Sequence, residues 1–249
     1  MVKLQIVIPL WNEAKNIPAL IQMLSRNKYV LSGEMQVILV NNGSADNSAE
    51  LLRDLQSKNA WMTVLQLPEN HNYGGGIVKG LEISTAPFVG FIPGDMQVYS
   101  EDVEKVWEQI RNYSGNDKAL AKGWRTVRKD GWTTRFVSWV YTRLANMILG
   151  ISVHDINGLP KIFNRNLLKL LSAEKMKTFV LDAQILATAS HHGWKILEVP
   201  VTFHARREGV SSWSGKRIRI YRQSFRQLNY LRRQQLTRPQ LPSARERQP

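Results

Sequence analysis

The sequence contains no cysteine. Disulfide bonds and thiolate metal sites are therefore excluded, and a reducing compartment is indicated. Long apolar runs are also missing: the best candidate, residues 137–153, is interrupted by Arg143 and Asn146 and falls short of the ~20 apolar residues that span a bilayer. The apolar stretch from Leu4 to Trp11 is too short for a signal peptide. We therefore expect a protein without a membrane-crossing segment.

Acidic residues are scarce relative to basic ones. The chain has 34 Lys and Arg against 20 Asp and Glu, which gives a formal net charge of +14 over 249 residues. The excess is concentrated near the C-terminus, since residues 204–249 contain twelve Lys or Arg and only two Glu. This asymmetry indicates an anionic partner, which could be nucleic acid, acidic lipid headgroups or a phosphorylated substrate.

The N-terminal part of the chain alternates short β-branched runs with amphipathic stretches. The predicted buried strands are 4–10, 35–40, 62–67 and 88–92. Apolar residues at helical spacing lie between them, and this alternation predicts an α/β fold with a mostly parallel, Rossmann-like sheet and helices on both faces. Polar loops follow three of the strands, at the edge where such sheets bind ligands.

The C-terminal part predicts further elements and a basic appendage. We expect helices at 102–113, 132–149 and 179–192, and strands at 119–123 and 196–203. Residues 213–236 predict a basic amphipathic helix, because one face carries apolar side chains while arginines crowd the others. The apolar side chains of that face are Ile218, Tyr221, Phe225, Leu228 and Leu231. Residues 237–249 are polar, contain three prolines and are predicted to be disordered.

Four local patterns occur in order in the first half. They are VIPLWNE at 7–13, VNNGSADNS at 40–48, NHNYGGGIVKG at 70–80 and PGDMQ at 93–97. In this order they resemble the inverting family 2 glycosyltransferases with a GT-A fold. The matching stretches of those enzymes read roughly VPxYNE, VDDGSxD, NxGxGxAxxxG and DxDxQ.

The second half extends the resemblance to the dolichol-phosphate mannose synthase-like branch. The segments that follow its order are 123–130, Arg135, Ser138, Asn146, 153–163, Asp182, 198–201 and 206–211. The resemblance covers residues 4–212. It implies a GT-A domain at 1–212, with a nucleotide-sugar half at 1–98 and an acceptor half at 99–212, followed by the helix at 213–236 and the tail at 237–249.

The resemblance also implies a donor site. It places Pro9, Trp11, Glu13 and Asn42 around the nucleotide, and Asn42 stands where the family usually has an aspartate that reaches the base. A role as a turn residue is the alternative for Asn42. Arg206 and Ser211 lie on a later loop, and the resemblance implies that they contact the diphosphate.

A divalent cation is expected beside this donor site. Asp95 and Gln97 lie two residues apart just after a predicted strand, so the oxygens of both can point to one place. Carboxylate and amide oxygens suit Mg²⁺ or Mn²⁺, which would offset the charge of a diphosphate. Where the family usually has the first aspartate of its pair, this chain has Pro93. The lost carboxylate should weaken metal binding or leave Asp95 as the main ligand of the metal.

Cationic residues of the second half match the family's acceptor-phosphate site. They are Arg125, Arg128 and Arg135, and the hydroxyl of Ser138 accompanies them. Guanidinium groups hold phosphate oxygens with two parallel hydrogen bonds, and a hydroxyl adds one more donor.

Two aspartates, Asp155 and Asp182, are the candidate catalytic bases. A sugar hydroxyl acceptor must lose a proton to a base, whereas a phosphate acceptor needs little help because its second pKa is about 6. Both carboxylates could instead be structural and hold neighbouring Arg or Lys side chains.

These expectations define a function and its alternatives. We expect inverting transfer of a sugar from a nucleoside-diphosphate sugar to a polyprenyl phosphate, at the cytoplasmic face of a membrane. The alternative is transfer to a hydroxyl of a cell-surface glycan or lipid-linked oligosaccharide, with Asp182 as the base. A dinucleotide-binding oxidoreductase is set aside because residues 74–80 lack G-x-G-x-x-G spacing.

The basic C-terminal region leaves a rival from another class, a nucleic-acid-binding module. Its aromatic residues fall at helical spacing with Ile218 and Leu228, which favours an amphipathic face on anionic lipid over a base-stacking platform. A further alternative is that this helix docks on its own domain or on a second subunit. We therefore expect a peripheral membrane protein that binds no nucleic acid and could form a homo-oligomer.

Overall fold

The computed structural model describes residues 1–129, 131–171, 180–207 and 226–233. Within these residues a seven-stranded sheet has the order β3-β2-β1-β4-β6-β5-β7. The strands are β1 (Leu4–Leu10), β2 (Met35–Asn42), β3 (Met62–Leu67), β4 (Phe88–Phe91), β5 (Ala119–Arg128), β6 (Lys161–Asn164) and β7 (Lys195–Phe203). The six strands that the sequence predicts are confirmed: five agree within two residues at each end, and β5 runs five residues beyond its predicted end at residue 123.

Helices connect most of the strands. They are α1 (Ile17–Ser25), α2 (Lys28–Leu31), α3 (Ser48–Lys58), α4 (Asn72–Glu82), α5 (Ser100–Arg111), α6 (Trp132–Leu149) and α7 (Leu181–His191). Short 3₁₀ turns lie at Asn116–Lys118 and Arg165–Leu170. Among the described residues, no helix combines the length and the apolar character needed to cross a bilayer.

Four parallel strands form the centre of the first half. β1 pairs with β2 on one side and β4 on the other, and β2 pairs with β3. The apolar run of β1 is explained by this position, because helices cover both faces and nearly every β1 side chain is buried. Since the strands are parallel, their polar carboxyl-terminal loops meet at one edge of the sheet.

The sequence did not predict β6, which lies antiparallel between β4 and β5. The only strands expected in the C-terminal part were those at 119–123 and 196–203. The strand is four residues long, and it begins with the fully buried Lys161, so it shows no apolar pattern. β7 then pairs in parallel with β5 and completes the sheet.

The glycine-rich segment brings α4 directly against the sheet. A Cβ atom on Gly80 would lie 2.3 Å from Val7 Cγ1 and 2.9 Å from Val40 Cγ2. A Cβ on Gly76 would lie 2.9 Å from Asn42 Nδ2. These distances are shorter than van der Waals contact, so only glycine fits. Gly76 and Gly80 therefore allow α4 to lie close against β1 and β2.

The predicted C-terminal helix is described only in part. Residues 226–233 are helical, and Leu228 and Leu231 are buried in the hydrophobic core while Tyr230 is exposed. In this stretch the apolar face docks on the domain, which is one of the alternatives that the sequence left open. The rest of 213–236, the predicted disorder at 237–249 and Ser211 lie outside the described residues.

Candidate active site

The turns after β1 and β2 are joined into one rim. The backbone N–H of Asn12 donates to Ser44 Oγ over 3.0 Å, and the N–H of Ala45 donates to Asn12 Oδ1 over 2.8 Å. Asn12 has a φ of 55°, a left-handed conformation that asparagine tolerates better than most residues. Trp11 is exposed on this rim, and Pro9 lies partly buried on β1 behind it. The two turns therefore form a fixed wall at the carboxyl edge of the sheet.

Asn42 is buried at the end of β2, and the protein itself uses both ends of its amide. Its Nδ2 donates to the carbonyl of Asn72 over 2.9 Å, and its Oδ1 accepts the N–H of His71 over 3.0 Å. The side chain thus fixes the turn that leads into α4. The positive φ of this turn, 68°, belongs to its neighbour Gly43. The turn-stabilising alternative is what these contacts support, since a nucleotide base would have to compete with them.

Asp95 lies just after β4 with its side chain almost buried. Its Oδ2 is 2.8 Å from Arg206 Nη2, and its Oδ1 accepts the backbone N–H of Gln97 over 3.2 Å. Burial raises the pKa of Asp95, while the Arg206 guanidinium and the Gln97 N–H oppose that rise. The carboxylate and the guanidinium, which the sequence assigned to the donor site on separate grounds, are in direct contact.

The chain beyond β7 crosses back over the end of β4. The N–H of His204 donates to the Gln97 carbonyl over 3.0 Å, and Gln97 Nε2 donates to the His204 carbonyl over 3.2 Å. The His204 ring stacks on Tyr99 with the ring centres 3.9 Å apart. These contacts, which the sequence did not predict, hold Arg206 above Asp95.

Glu13 belongs to the same electrostatic site. Burial raises the pKa of Glu13, a hydrogen bond from Asn16 opposes the rise, and the Asp95 carboxylate adds to it. The guanidinium of Arg206 acts in the opposite direction. Glu13 is therefore within electrostatic reach of Asp95 and Arg206, and the donor-site role of the three residues stays a prediction.

The residues around Asp95 offer few ligands to a cation. Within the described residues no cluster of three His, Cys, Asp or Glu could hold a metal ion. Asp95 supplies one carboxylate, Gln97 an amide, and Pro93 removes the second carboxylate. Mg²⁺ commonly binds through one or two carboxylates together with substrate phosphates and water. The set therefore fits a divalent cation when a diphosphate completes the ligand shell.

In the second half of the chain, Arg125 is held by Asp155. Arg125 Nε lies 2.6 Å from Asp155 Oδ2, and Arg125 Nη2 lies 2.7 Å from Asp155 Oδ1. Burial alone would raise the pKa of Asp155, but the charges of Arg125, Lys122 and Lys161 hold it well below its usual range. A carboxylate in this position is a weak base. The structural role considered for Asp155 is the one that these contacts support.

Asp182 is held in the same way by a buried lysine. Lys161 is fully buried, and its Nζ donates to Asp182 Oδ1 and to the carbonyls of Ile156 and Gly158, each carbonyl at 3.0 Å. Burial lowers the pKa of Lys161, and the Asp182 charge opposes that change. The sequence raised such a structural role for Asp182 as an alternative, but it did not identify Lys161 as the partner.

A second buried lysine, Lys122, ties β5 to β7. Its Nζ lies 3.0 Å from Glu198 Oε1 and donates to the Gly123 carbonyl over 2.9 Å. Glu198 Oε2 also lies 2.7 Å from His154 Nδ1. Burial lowers the pKa of Lys122 to about 8. The loop that carries Asp155 is thus fixed by buried charges on both sides.

Tyr73, which the sequence did not single out, lies between the two halves. Burial raises its pKa well above the usual range, with further contributions from the Asp182 and Asp95 carboxylates, and Arg125 opposes the rise. Its hydroxyl therefore keeps its proton and lies within electrostatic reach of both halves. The only signal in the sequence is its place at the head of the glycine-rich segment.

The remaining acceptor candidates lie around the start of α6. Arg128 ends β5, and Arg135 and Ser138 lie one turn apart on α6. The Arg135 side chain is exposed, whereas Ser138 and Arg128 are partly buried. These residues thus lie on the consecutive elements β5 and α6, and Arg128 stands on the same strand as Arg125.

The mostly parallel seven-stranded sheet, with its polar site at the carboxyl edge, agrees with a GT-A type of fold. The chain belongs to Glycosyl transferase family 2, whose family profile matches residues 5–171.

Individual relatives are more distant. The chain is 24% identical over 213 residues to dodecaprenyl-phosphate galacturonate synthase from Rhizobium johnstonii, a match that covers 85% of this chain and 62% of that protein. The chain therefore spans less than two thirds of the length of this curated relative.

Solved structures show the same fold. Glucosyl-3-phosphoglycerate synthase from Mycobacterium tuberculosis, crystallised with Mn²⁺, uridine diphosphate and phosphoglyceric acid, has a TM-score of 0.65 at 18% identity, over 93% of this chain and 78% of that one. S. aureus TarS 1–349 has a TM-score of 0.56 at 18% identity, over 81% of this chain and 60% of that one.

Proposed function

We propose that the protein is an inverting glycosyltransferase that moves a sugar from a nucleoside-diphosphate sugar to a polyprenyl phosphate at a membrane surface. One observation carries the choice of acceptor: each candidate base is paired with a buried cation, Asp155 with Arg125 and Asp182 with Lys161. Carboxylates neutralised in this way are poorly suited to take a proton from a sugar hydroxyl. A phosphate acceptor has no such requirement, since its oxygen is already ionised near pH 7.

The donor half performs the leaving-group side of the reaction. Glu13, Pro9 and Trp11 line the nucleotide site, and Arg206 and Asp95 lie where the diphosphate would bind. A divalent cation held by Asp95 and Gln97 would offset the negative charge that develops on the departing diphosphate. The crystallisation of a structural relative with Mn²⁺ and uridine diphosphate supports this assignment.

The acceptor half positions the nucleophile. Arg128, Arg135 and Ser138 would hold the acceptor phosphate, while Arg125, whose charge is offset by Asp155, would support the strand that also carries Arg128. One phosphate oxygen then forms a bond to the anomeric carbon as the bond to the diphosphate oxygen breaks on the opposite face. The configuration is inverted, and no proton needs to leave the acceptor.

The acceptor chemistry also determines where the enzyme works. A polyprenyl phosphate resides in a bilayer, so the enzyme would act as a peripheral membrane protein. We place it on the cytoplasmic face, because a chain without cysteine suits a reducing compartment. The named relative, a dodecaprenyl-phosphate galacturonate synthase, supports this class of acceptor.

A binding screen followed by a product assay tests the proposal. Nucleoside diphosphates are first ranked by thermal shift with Mg²⁺ or Mn²⁺, because a ligand that binds the native state raises its Tm. The corresponding nucleotide sugars are then offered with a short polyprenyl phosphate or with the matching polyprenol. Product is expected from the phosphate alone. Transfer to the alcohol at a similar rate would contradict the proposed acceptor.

A further inference from the structure

Helix α6 presents large apolar side chains on its outward face. Trp132, Phe136, Trp139 and Met147 are exposed by 81%, 58%, 55% and 72%. They are spaced four, three and eight residues apart, so they form a single stripe along the helix. The ring centres of Phe136 and Trp139 are 6.1 Å apart. A contiguous stripe of this kind is unusual on a surface that faces only water.

The opposite face of α6 anchors the helix to the acceptor half. Tyr141, Ala145 and Leu149 are buried in the core. Thr142 Oγ1 accepts the N–H of Ile156 over 3.3 Å, and Asn146 Nδ2 donates to the Val153 carbonyl over 2.8 Å. These contacts fix the rotation of the helix. The aromatic stripe therefore points away from the domain, while the inner face supports the loop that carries Asp155.

The charges around the stripe are all of one sign. Helix α6 contains no Asp or Glu, and its charged residues are Arg135 and Arg143, both exposed. The Arg143 guanidinium lies over the Trp139 ring, 5.7 Å from its centre. Exposed Trp and Phe flanked by arginine are typical of helices that lie in the headgroup region of an anionic bilayer.

Charge also argues against two other partners for the outward face of α6, a second copy of the chain and the chain's own C-terminal region. A second copy would bring the same arginines and a net charge of +14 to the contact. The C-terminal region of this chain is itself strongly basic, with twelve Lys or Arg against two Glu in residues 204–249. Like charges repel, so neither surface complements the two arginines of α6. Anionic lipid headgroups do.

We propose that the outward face of α6 lies in the surface of an anionic membrane, with Trp132, Phe136 and Trp139 inserted among the lipid headgroups. The proposal rests on the proposed function in that a lipid-linked acceptor requires such a surface. It differs from the sequence-based expectation, which placed membrane contact on the helix at 213–236. Inserting α6 would bring Arg135 to the level of the headgroups, where an acceptor phosphate lies.

The test uses the full chain with three glutamines in the stripe, Trp132→Gln, Phe136→Gln and Trp139→Gln. Glutamine keeps helix propensity while removing the apolar surface. The matched control carries Leu31→Gln and Ile83→Gln, which remove exposed apolar side chains (73% and 43% exposed) from other elements. Binding is measured by sedimentation with vesicles of phosphatidylcholine and phosphatidylglycerol. The stripe variant should bind at least ~10-fold more weakly, and the control should bind like the wild type.

A depth measurement locates the contact. Lipids with brominated acyl chains should quench the wild-type tryptophan fluorescence, and the quenching should fall in a Trp132→Phe, Trp139→Phe variant that still binds vesicles. Unchanged vesicle binding by the stripe variant, or quenching that does not depend on these two indoles, would overturn the proposal. So would loss of a self-association in the stripe variant with vesicle binding intact, because that would assign the face to a second copy.

Turnover separates this proposal from the proposed function. The stripe variant should retain transfer to a short, water-soluble prenyl phosphate and lose transfer to a long-chain acceptor in vesicles. If the wild type transfers sugar to neither acceptor, the proposed function fails, while the vesicle and quenching results still decide the role of α6.

Discussion

Arg206 Nη2 lies 2.8 Å from Asp95 Oδ2, so a residue beyond the last strand neutralises the buried carboxylate at the end of β4. A divalent cation that uses Asp95 must share the carboxylate with this guanidinium or displace it. The diphosphate offers Arg206 a second anionic partner. Donor, cation and Arg206 are therefore expected to bind as a coupled set.

Replacing Asp95 with asparagine should lower kcat/KM by ~100-fold or more, because the charge stabilisation supplied by a bound metal amounts to several kcal/mol. The free energy of unfolding should stay the same or rise, since burial raises the pKa of Asp95 and its ionised form is costly in the folded state. Kinetic assays and urea denaturation measure the two effects. The exposed Asp117→Asn serves as the control, and full wild-type activity in excess chelator would contradict the assignment.

Replacing Arg206 with alanine should affect the cation and the nucleotide in opposite directions. Without its guanidinium partner, Asp95 is expected to bind Mn²⁺ more tightly when no nucleotide is present. Binding of a nucleoside diphosphate should weaken, because the arginine no longer contacts it. Calorimetric titrations with Mn²⁺ alone and with the nucleotide alone test this pair of results. Cation affinity that stays the same in the variant would show that the ion pair does not compete with metal.

Arg125→Ala should destabilise the protein by about 3–5 kcal/mol, because it leaves the Asp155 carboxylate buried without its partner. A double-mutant cycle with Asp155→Asn should recover part of that loss. The exposed Arg135→Ala should change the free energy of unfolding by only about 0.5 kcal/mol while raising the KM for the acceptor phosphate. Equal destabilisation by the two arginine variants would be inconsistent with the structure.

Asn42→Asp would restore the residue that the family usually carries, yet we expect it to destabilise this protein by roughly 1–3 kcal/mol. The amide Nδ2 donates to the Asn72 carbonyl, and a carboxylate oxygen in its place would face that carbonyl without a hydrogen. Chemical denaturation at neutral pH measures the loss. A variant as stable as the wild type would indicate that the turn at 70–72 rearranges freely.

Stability should depend on pH through Lys122. Burial lowers its pKa from 10.5 to about 8, so between these values the unfolded state holds more protons than the folded state. The free energy of unfolding should therefore rise with pH across that window, by an amount on the order of 3 kcal/mol for this residue. Lys122→Met should remove this rise in the free energy of unfolding. The difference between the pH profiles of the wild type and the variant therefore separates the contribution of Lys122 from that of other groups, including Lys161. If the free energies of unfolding of the wild type and the variant change in parallel with pH, Lys122 does not have the lowered pKa.

Most of the sheet and its polar edge could be predicted from the sequence, because apolar strands and the polar loops after them are local signals. Asp95 and Arg206 were assigned to one site by their motifs, and they are in contact. A cationic partner was an alternative for both aspartates, but the partner itself was not predictable, since Lys161 and Asp182 lie 21 residues apart on β6 and α7 and meet only in the folded chain. The role of Asn42 was equally hidden, because its hydrogen bonds depend on the conformation of a distant turn.

Strand β6 has a consequence for the order in which the chain folds. β1 to β4 can pair among themselves as soon as residue 91 is made, whereas β5 has no neighbour in that group. It must wait for β6, whose Ile162 pairs with Gly90 across a long stretch of chain. Pairings of such long range are slow to form. The nucleotide half is thus expected to fold first, with β4 as an open edge that the four residues of β6 later close.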